Sequence, residues 1–464
     1  MALGARQRFL VRGATAGSLV PAVAALLAFL TYWRSLAPDL TWAYYGADGG
    51  ELITAAVTLG VPHPPGYPTY VLLGHLFAKL PIGDIPYRFN LFSAVAMSAA
   101  IAFAGATAFQ LLASSSRTRA SAAFATALTF AFLSLPWQQA LITEVYALNM
   151  AIVALLLWAV LTRRPAPVAG FLLGLAITAH LTSLLLVPAV LSLTARRQWP
   201  LLAAATLIGL APFLALPVLA RSGSPLVWGQ PQHLDGWWWL VSGELYRPNL
   251  FAVPLGEAAA RLGRWLWSEQ LALPVLALIG ALPLARRSEG IVSTRSILLA
   301  ATGFLYLLVA ASYGPPGAAV LFLPGLACAV LLLAPLFSRL GPWSLLLPTA
   351  LLLLNFSTLD LSANREARNL AQPLLHEAPR EAILLTEGDA TTFTLWYLQE
   401  VEGQRPDIAV IDRNLFGFDW YRQQLAGRYD WLPAVASYDL DALTGVGRTV
   451  CRVQLAPGVA AMDC

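Results

Sequence analysis

Residues 46–52, Gly-Ala-Asp-Gly-Gly-Glu-Leu, and residues 61–66, Val-Pro-His-Pro-Pro-Gly, hold the most informative polar groups of this chain. Two carboxylates, Asp48 and Glu51, and one imidazole, His63, follow the first long apolar segment almost at once. The rest of the sequence up to residue 359 is largely apolar. Because charge placed at a membrane costs free energy, we expect this cluster to have a function.

The composition points to a membrane protein. The 464-residue chain is 58% hydrophobic and only 12% charged, whereas soluble domains carry about 25% charged residues. A helix needs about 20 apolar residues to cross a bilayer, and such runs recur along the chain. We therefore predict an all-α polytopic membrane protein with about 11 transmembrane helices. The predicted spans lie near residues 15–36, 89–113, 119–136, 145–162, 166–180, 182–195, 200–220, 270–285, 296–312, 317–338 and 342–358.

The charges predict the orientation of these spans. Arginines cluster in alternate loops, and the acids before residue 360 fall almost entirely on the other side. By the positive-inside rule, the arginine side is cytoplasmic, so residues 37–88 and 221–268 form large outer loops. In the first of these loops, the apolar stretch from Tyr67 to Leu80 is too short to cross a membrane, and we expect it to lie in the interface or to re-enter. We expect a retained first helix, a cytoplasmic N-terminus and a location in the bacterial inner membrane. The arginines are Arg6, Arg8, Arg12, Arg117, Arg119, Arg163, Arg164, Arg196, Arg197, Arg286, Arg287, Arg295 and Arg339.

Residues 360–464 differ in composition from the 1–359 membrane domain, because they are polar and charged. Their apolar runs predict a small extracytoplasmic α/β domain. No glycine pattern for phosphate binding is present, so we assign this domain no nucleotide. The predicted strands are Ala382–Thr386, Ile408–Ile411 and Thr449–Val453, and the predicted helices are Thr391–Val401 and Asp419–Leu425.

Two other residue classes are informative. Cys451 and Cys464 could pair if the tail lies outside the cytoplasm, and Cys328 lies in an apolar run as a packed thiol. The second outer loop is rich in aromatic residues, for which anchoring at the lipid headgroups is favoured over sugar stacking. These aromatic residues are Trp228, Trp237, Trp238, Trp239, Tyr246, Trp265 and Trp267.

Asp48 and Glu51 lie three residues apart at the start of a predicted helix over residues 49–59, so their side chains share a face. One interpretation is structural: Asp48 at the N-cap and Glu51 at the third position cap the helix. Spacing alone slightly favours this interpretation. The other is a carboxylate base that deprotonates an acceptor hydroxyl. The two roles are compatible, because a capped carboxylate is held rigidly.

Several further residues are candidates for binding. His63 either makes a structural hydrogen bond or contacts a phosphate or hydroxyl, with no preference between the two. Arg88, two residues before Asn90, either extends to the headgroups or pairs with a lipid phosphate, and Arg247 competes for that second role. Glu144 and His180 are ionisable groups at the outer ends of apolar runs, which makes them functional hypotheses.

The motifs together resemble a known family, the domain of unknown function 2723 family, which includes transmembrane protein 260-like protein O-mannosyltransferases. The resemblance spans most of the chain. The stretches that carry it are Asp48-Gly-Gly-Glu51-Leu, Gly60-Val-Pro-His63-Pro-Pro-Gly66-Tyr-Pro, Arg88-Phe-Asn90-Leu-Phe-Ser93-Ala, Thr143-Glu-Val-Tyr146-Ala-Leu, Val227-Trp-Gly-Gln-Pro, Thr386-Glu-Gly-Asp389 and Leu395-Trp-Tyr-Leu-Gln-Glu-Val-Glu-Gly-Gln-Arg405-Pro-Asp.

The resemblance implies a GT-C membrane glycosyltransferase. Such an enzyme takes a sugar from a polyprenyl-phosphate donor on the outer membrane face and transfers it with inversion to a hydroxyl. Mannose and a protein serine or threonine are the sugar and acceptor implied by the animal relative. Carried onto this chain, the base is Asp48, with Glu51 as its support or reserve.

The remaining site residues follow from the same interpretation. We expect His63, Arg88 and Arg247 to hold the donor phosphate. Further candidates for donor or acceptor binding are Asn90, Glu144, Tyr146 and His180. We expect no metal and no other cofactor. The expected partners are the lipid-linked sugar, a protein or lipid acceptor and membrane lipids, but no nucleic acid.

Two rival functions remain open from the sequence. A transporter or flippase of a lipid-linked sugar would place charge at the bilayer midplane and on both faces, whereas here the acids cluster on one side. A non-catalytic assembly protein would not need Asp48, Glu51 or His63.

Overall fold

The computed structural model describes residues 2–112, 117–287, 291–432, 443 and 445–464, with side chains described from residue 19 to 279 and from residue 294 onward. The described chain is mostly helical and ends in a small sheet. The helices are Ala2–Ser35 (α1), Gly49–Thr58 (α2), Pro68–Ala78 (α3), Ile85–Leu111 (α4), Arg119–Phe132 (α5), Ser134–Ala140 (α6), Tyr146–Leu161 (α7), Ala166–Ala179 (α8), Val187–Leu193 (α9), Trp199–Gly209 (α10), Leu216–Leu219 (α11), Leu234–Val241 (α12), Leu255–Ser268 (α13), Ala272–Arg287 (α14), Ile291–Ser312 (α15), Leu323–Leu331 (α16), Ala334–Leu340 (α17), Leu346–Leu359 (α18), Glu366–Glu377 (α19), Asp389–Glu400 (α20) and Asp419–Arg428 (α21).

Short 3-10 segments connect many of these helices, and four strands complete the chain. The 3-10 segments are Ala43–Asp48, Leu181–Leu186, Arg196–Gln198, Ala211–Ala215, Glu244–Asn249, Ala318–Phe322, Gly341–Leu345 and Leu415–Gly417. The strands are Ile383–Thr386 (β1), Ala409–Asp412 (β2), Val450–Ala456 (β3) and Val459–Asp463 (β4).

Only some of the predicted spans are long enough to cross a membrane. Within the described ranges, four helical segments pass by length and composition, and a fifth passes if α5 and α6 count as one bent span. The predicted number of about 11 is therefore not confirmed. The four segments are Ile85–Leu111, Arg196–Leu219, Thr294–Ser312 and Ala334–Leu359; shorter apolar helices cover Leu19–Ser35, Tyr146–Leu161, Ala166–Ala179, Leu181–Leu193 and Ala318–Leu331.

The last two predicted spans have different bounds in the structure. The sequence predicts one span over 317–338 and another over 342–358, with Arg339 in the loop between them. Instead, one apolar helix ends at Leu331, and Ala334–Leu359 forms the long segment, so Arg339 lies within it. Pro335 starts that segment, because a proline without an N–H group is tolerated in a helix's first turn. The side chains of Arg6, Arg8, Arg12, Arg286 and Arg287 lie outside the description.

A bend between α5 and α6 directs polar side chains toward the site. The two helices meet at Leu133, whose backbone is extended, and their axes differ by 66°. Pro136 lies in the first turn of α6, where its missing N–H group breaks no helical hydrogen bond. The sequence Ser134-Leu-Pro136 therefore favours a new helix over a continuation of α5.

The first outer loop contains the two helical stretches that the sequence predicts. Helix α2 covers Gly49–Thr58 and ends at Leu59, whose backbone is left-handed. Helix α3 has 11 residues and is therefore about 17 Å long, well short of the roughly 30 Å hydrocarbon core. The apolar stretch from Tyr67 to Leu80 thus does not cross a membrane, as predicted.

The two outer loops are joined by a short parallel bridge. Val61 N–H donates to the Leu226 carbonyl at 2.9 Å, and Trp228 N–H donates to the Val61 carbonyl at 3.0 Å. Gly60 makes this approach possible, because a Cβ there would lie 2.3 Å from the Leu226 carbonyl oxygen. The bridge places Trp228 next to the segment that carries His63.

The C-terminal sheet has the order β2-β1-β3-β4, with β1 parallel to β2 and β3 and with β4 antiparallel to β3. The three predicted strands and two predicted helices are present with small shifts of their bounds. Helix α19 and strand β4 are additions that the sequence analysis did not include. Cys451 in β3 and Cys464 form a disulfide, and Cys328 is a free, buried thiol.

Helix α20 of this C-terminal part packs directly on α2. The Trp42 indole N–H donates to the Thr394 hydroxyl at 3.0 Å. Arg368 forms ion pairs with Asp39, whose side chain is 1% exposed, and with Glu402. The sheet domain is therefore held against the loop that contains Asp48 and Glu51, rather than separated from it by solvent.

Candidate active site

A large cavity lies where the first outer loop, the second outer loop and helix α20 meet. Its volume is about 670 Å³, and its lining is mostly apolar. Ligand sites typically combine such an apolar wall with a few converging polar groups. The polar groups of this cavity include Asp48, His63, Tyr67, Glu144, Tyr146, His180, Thr182, Ser242, Tyr246, Arg247, Tyr313 and Asp389.

Asp48, His63 and Glu51 form a chain of charged contacts at one wall. His63 Nδ1 contacts Glu51 Oε2, and the His63 backbone N–H donates to Glu51 Oε1 at 3.0 Å. On the other side of the ring, His63 Nε2 lies 3.9 Å from Asp48 Oδ2. The Glu51 side chain is fully buried, whereas the Asp48 side chain is 30% exposed. Asp48 and His63 therefore line the cavity, with Asp48 the more exposed of the two, and Glu51 lies behind them.

The charges of this chain follow from its burial. Burial disfavours a charged imidazole, but Glu51 and Asp48 outweigh it and raise the pKa of His63 to about 10. Burial also raises the pKa of Asp48 above its ordinary value; the His63 cation opposes that rise and Glu51 adds to it. At neutral pH His63 is thus an imidazolium between two carboxyl groups, and Asp48 is a stronger base than an ordinary aspartate.

The capping interpretation of Asp48 and Glu51 is wrong. Asp48 is the N-cap residue of α2, but its backbone is helical and its side chain makes no capping hydrogen bond. Glu51 does not reach back to the cap either, because both of its oxygens contact His63. Because Glu51 and His63 are 12 residues apart in the sequence, local spacing did not predict their contact.

Aromatic rings surround His63. Its ring lies edge-on to Tyr67, Trp228 and Tyr246, with centroid distances of 5.1, 6.1 and 6.0 Å. Trp228 is only 6% exposed. For Trp228 and Tyr246 the headgroup-anchoring interpretation therefore does not hold, because both line the cavity. Trp238 and Trp267 are 58% and 83% exposed, as membrane anchors would be.

Three other predicted residues also reach the cavity. Glu144 and Tyr146 line it on the side of Asp48. Burial and the nearby Asp48 raise the pKa of Glu144 well above its ordinary value, which favours a protonated carboxyl that can donate a hydrogen bond. His180 stacks on Tyr67, and its Nδ1 accepts a hydrogen bond from the Thr182 N–H at 3.3 Å.

Arg88 and Asn90 are not brought to the cavity. The Arg88 guanidinium donates to the backbone carbonyls of Ala78, Ile82 and Gly83 and so closes the turn before α4. Asn90 donates to the carbonyls of Ala37 and Asp39, and its own oxygen accepts from Thr143 at 2.7 Å. Both predicted binding roles are replaced by structural ones, because the backbone carbonyls of their own loops occupy these donors.

Arg247 has a different environment. It lines the cavity, and its side chain is exposed and makes no hydrogen bond or ion pair within the described part of the chain. An unpaired arginine in a mostly apolar cavity is available to an anion. Of the two competing arginines, Arg247 is therefore the one that lines the cavity.

Comparison with known families gives these residues a context. Residues 48–202 match the protein O-mannosyl-transferase TMEM260 N-terminal domain, and residues 367–438 match TMEM260-associated domain 2. The first match begins at Asp48 and includes His63. In these two regions the chain is similar to the TMEM260 family.

Two relatives extend this result. Protein O-mannosyl-transferase TMEM260 of Mus musculus is 29% identical over 450 residues, covering 82% of this chain and 61% of the mouse protein. Protein O-mannosyl-transferase tmem260 of Dictyostelium discoideum is 23% identical over 460 residues, covering 81% and 55%. The chain thus spans less than two thirds of the length of either TMEM260 relative.

A solved structure shows the fold. ArnT from Cupriavidus metallidurans bound to undecaprenyl phosphate matches the chain with a TM-score of 0.53 at 13% identity, covering 86% of this chain and 90% of ArnT. The chain, similar to TMEM260 proteins in two regions, therefore has the GT-C fold of ArnT with a small C-terminal sheet. That fold and the long apolar helices make it an integral membrane protein.

Asp389 is a site residue that the sequence analysis missed. It begins α20, directly after the end of β1, and lines the large cavity together with two neighbouring cavities of about 260 and 310 Å³. Burial and Asp48 raise the pKa of Asp389 to about 6. A signal was present, because the carboxyl ends of parallel strands commonly carry ligand-binding residues and the TMEM260-like run Thr386-Glu-Gly-Asp389 ends there.

The acids do not form an evident metal site. Among the residues with described positions, no group of three or more His, Cys, Asp or Glu side chains is arranged to hold an ion. The arrangement combines carboxyl groups, cationic side chains and an apolar wall.

Proposed function

We propose that this chain is an inverting glycosyltransferase. It moves a sugar from a polyprenyl-phosphate donor to a hydroxyl acceptor on the outer face of the membrane, with Asp48 as the catalytic base. The observation that carries this proposal is the position of Asp48: it faces a mostly apolar cavity of about 670 Å³ and has the buried His63–Glu51 pair behind it.

The reaction needs one proton acceptor. Asp48 takes the proton from the acceptor hydroxyl as its oxygen forms a bond to the anomeric carbon of the sugar. The bond between that carbon and the phosphate oxygen breaks, and the polyprenyl phosphate leaves with the electron pair. A phosphate leaves without protonation, so no general acid is required, in contrast to glycoside hydrolysis. Attack opposite to the leaving group inverts the anomeric centre.

His63 and Glu51 act behind the base. The His63 imidazolium stabilises the ionised form of Asp48, so that the carboxylate stays available although burial raises its pKa. Glu51 holds the imidazole in place through the ring Nδ1 and the backbone N–H. We assign Glu51 this positioning role and not that of a second base, because its side chain is fully buried.

The large cavity offers the donor both a cation and an apolar surface. Arg247 supplies a cation for the phosphate, and an arginine can pair with two phosphate oxygens at once. Leu184, Leu185, Leu250 and Phe251 line the same cavity and provide an apolar surface for the prenyl chain. The fold neighbour ArnT was solved with undecaprenyl phosphate, which supports a donor of this class.

The sugar and the acceptor rest on the relatives. The mouse and Dictyostelium proteins are named protein O-mannosyl-transferases, which favours mannose and a protein serine or threonine here. The two outer loops and the C-terminal domain would then lie outside the cytoplasm, in a bacterial inner membrane, and the acceptor would approach there.

A reconstituted assay tests the proposal. Purified protein is given undecaprenyl-phosphate mannose and serine- or threonine-containing peptides, and transfer is followed by mass spectrometry. Asp48→Asn is expected to abolish transfer, whereas Asp235→Asn, the same change at an exposed residue of α12, should leave it intact. Near wild-type transfer by Asp48→Asn would overturn the base assignment. If the protein moves the lipid across vesicle membranes without sugar transfer, the result favours a flippase. If it shows neither activity, the result favours an assembly protein.

A further inference from the structure

A second cavity opens next to Asp48. Its lining is mostly apolar, but we call it the polar cavity because it also carries two glutamines and a glutamate that the large cavity lacks. Its volume is about 260 Å³, and it shares Asp48, Glu144 and Tyr146 with the large cavity. Gln138, Gln139 and Glu269 line this cavity and not the large one. The proposed mechanism uses none of these three side chains.

Gln139 is the most informative of them. It is only 3% exposed, and its Oε1 has no hydrogen-bond partner within the described residues. Buried side-chain oxygens are nearly always paired, and each exception needs an explanation. A ligand hydroxyl that donates to Oε1 would supply the missing partner.

Glu269 is held in place from two directions. Its Oε2 accepts hydrogen bonds from the Ser134 hydroxyl and the Gln138 amide, each at 3.2 Å. The next residue, Gln270, forms a reciprocal amide pair with Asn355, at 2.6 and 2.8 Å. The carboxylate is therefore preorganised at the cavity wall, which reduces the entropy lost when a ligand binds.

We propose that this polar cavity is the subsite for the sugar of the lipid-linked donor. The inference deepens the proposed function and rests on it. Sugar hydroxyls both donate and accept hydrogen bonds, which planar amides and carboxylates match in pairs. Tyr44 and Tyr313 add rings to the lining, against which the apolar face of a pyranose can pack.

The position of Asp48 connects the two cavities. It lines both, so a donor whose prenyl chain lies in the large cavity and whose sugar lies in the polar cavity places its anomeric carbon near the proposed base. The opposite arrangement, with the acceptor in the polar cavity, makes different predictions for the same variants.

The test compares two lipids that differ only in the sugar. Binding of undecaprenyl phosphate and of undecaprenyl-phosphate mannose, with glucose and galactose versions as a panel, is measured on detergent-purified protein. Gln139→Leu and Glu269→Gln are each expected to weaken binding of the preferred sugar lipid about tenfold, since each loses a hydrogen bond to a buried or charged group. Binding of the sugar-free lipid should change less than about twofold.

Leu250→Ala provides the matched control, because Leu250 lines the large cavity and not the polar one. Leu250→Ala should weaken the binding of both lipids equally. Thermal unfolding checks that each variant is folded; if Gln139→Leu is not, Glu269→Gln, which preserves side-chain shape, decides the result.

Three outcomes would overturn the subsite. Equal losses of affinity for both lipids would mean that Gln139 and Glu269 have a structural role. An increased KM for the acceptor with unchanged donor binding would place the acceptor in the polar cavity. No sugar lipid binding more tightly than the sugar-free lipid would also reject it. Wild-type protein that binds none of the lipids would instead reject the proposed function itself.

Discussion

Gly50 packs against the backbone of Phe393: a Cβ on Gly50 would lie 2.2 Å from the Phe393 carbonyl oxygen. Real Cβ atoms do not come that close, so only glycine permits this contact between α2 and α20. Gly50 belongs to the Asp48-Gly-Gly-Glu51 motif, and Phe393 follows Asp389 by four residues. The contact therefore sets the position of Asp389 relative to Asp48.

Gly50→Ala should separate α20 from α2. Because the added methyl group meets backbone and not a flexible side chain, we expect transfer activity to fall at least about tenfold and the thermal unfolding temperature to drop. Gly256→Ala in α13 is the control, since nothing lies within 4 Å of its added Cβ. Equal behaviour of the two variants in activity and unfolding assays would show that the close packing has no role.

His63→Gln should change the pH dependence of transfer. His63 lowers the pKa of Asp48 more than Glu51 raises it, so loss of the cation leaves the pKa of Asp48 higher. A base acts when deprotonated, and the rate rises with pH through its pKa. The acidic limb of the kcat/KM profile should therefore move to higher pH.

The control for this experiment is His75→Gln, because His75 on α3 contacts the Ala56 carbonyl and lies outside the cavity lining. The pH profile of kcat/KM for His75→Gln should match that of the wild type. An unshifted acidic limb in His63→Gln would mean that His63 does not influence the base.

Asp389→Asn should strengthen donor binding above pH 6. The pKa of Asp389 is raised to about 6, so the carboxylate becomes charged as the pH rises through that value and then repels the donor phosphate. We expect a donor KM about threefold lower than wild type at pH 7.5 and no difference at pH 5. Glu387→Gln, an exposed acid two residues earlier that pairs with Arg413, should show no such change. A pH-independent difference would contradict this role.

Arg368→Ala should destabilise the docked C-terminal domain. Asp39 is 1% exposed and pairs with Arg368, so its removal leaves a buried charge with weaker compensation, which costs about 3 kcal/mol. Arg413→Ala removes an exposed pair with Glu387 and should cost less than about 1 kcal/mol. Thermal or denaturant unfolding measures the stability of both variants. Similar losses of unfolding free energy would show that the Arg368 contacts contribute no more than the exposed pair.

The sequence predicted the parts of the fold that depend on local pattern. Helix α2, the short apolar helix α3 and strands β1 to β3 follow from periodicity and turn residues, and they are present. The number of spans was less predictable, because several apolar runs form helices broken by prolines and 3-10 segments. Hydropathy measures the apolar content of a run but not its continuity as one helix.

The site was predictable only in outline. Asp48, His63 and Glu144 were recognised as chemically unusual and lie at the cavity. The sequence could not distinguish Arg88 from Arg247. The partners of Arg88 are backbone carbonyls, and every residue has one of these. Gln139 and Asp389 reach the site through a bend and through docking of a distant domain, which are tertiary events.

The bond between Cys451 and Cys464 also bears on where the chain completes folding. The cytosol keeps thiols reduced, whereas the periplasm oxidises them. If the tail is exported, as the arginine distribution predicts, the covalent closure of β3 and β4 follows translocation and requires a thiol oxidase. We expect an alkylating reagent to modify these two cysteines in intact cells that lack such an oxidase, but not in normal cells. That result would show on which side of the membrane α20 meets α2.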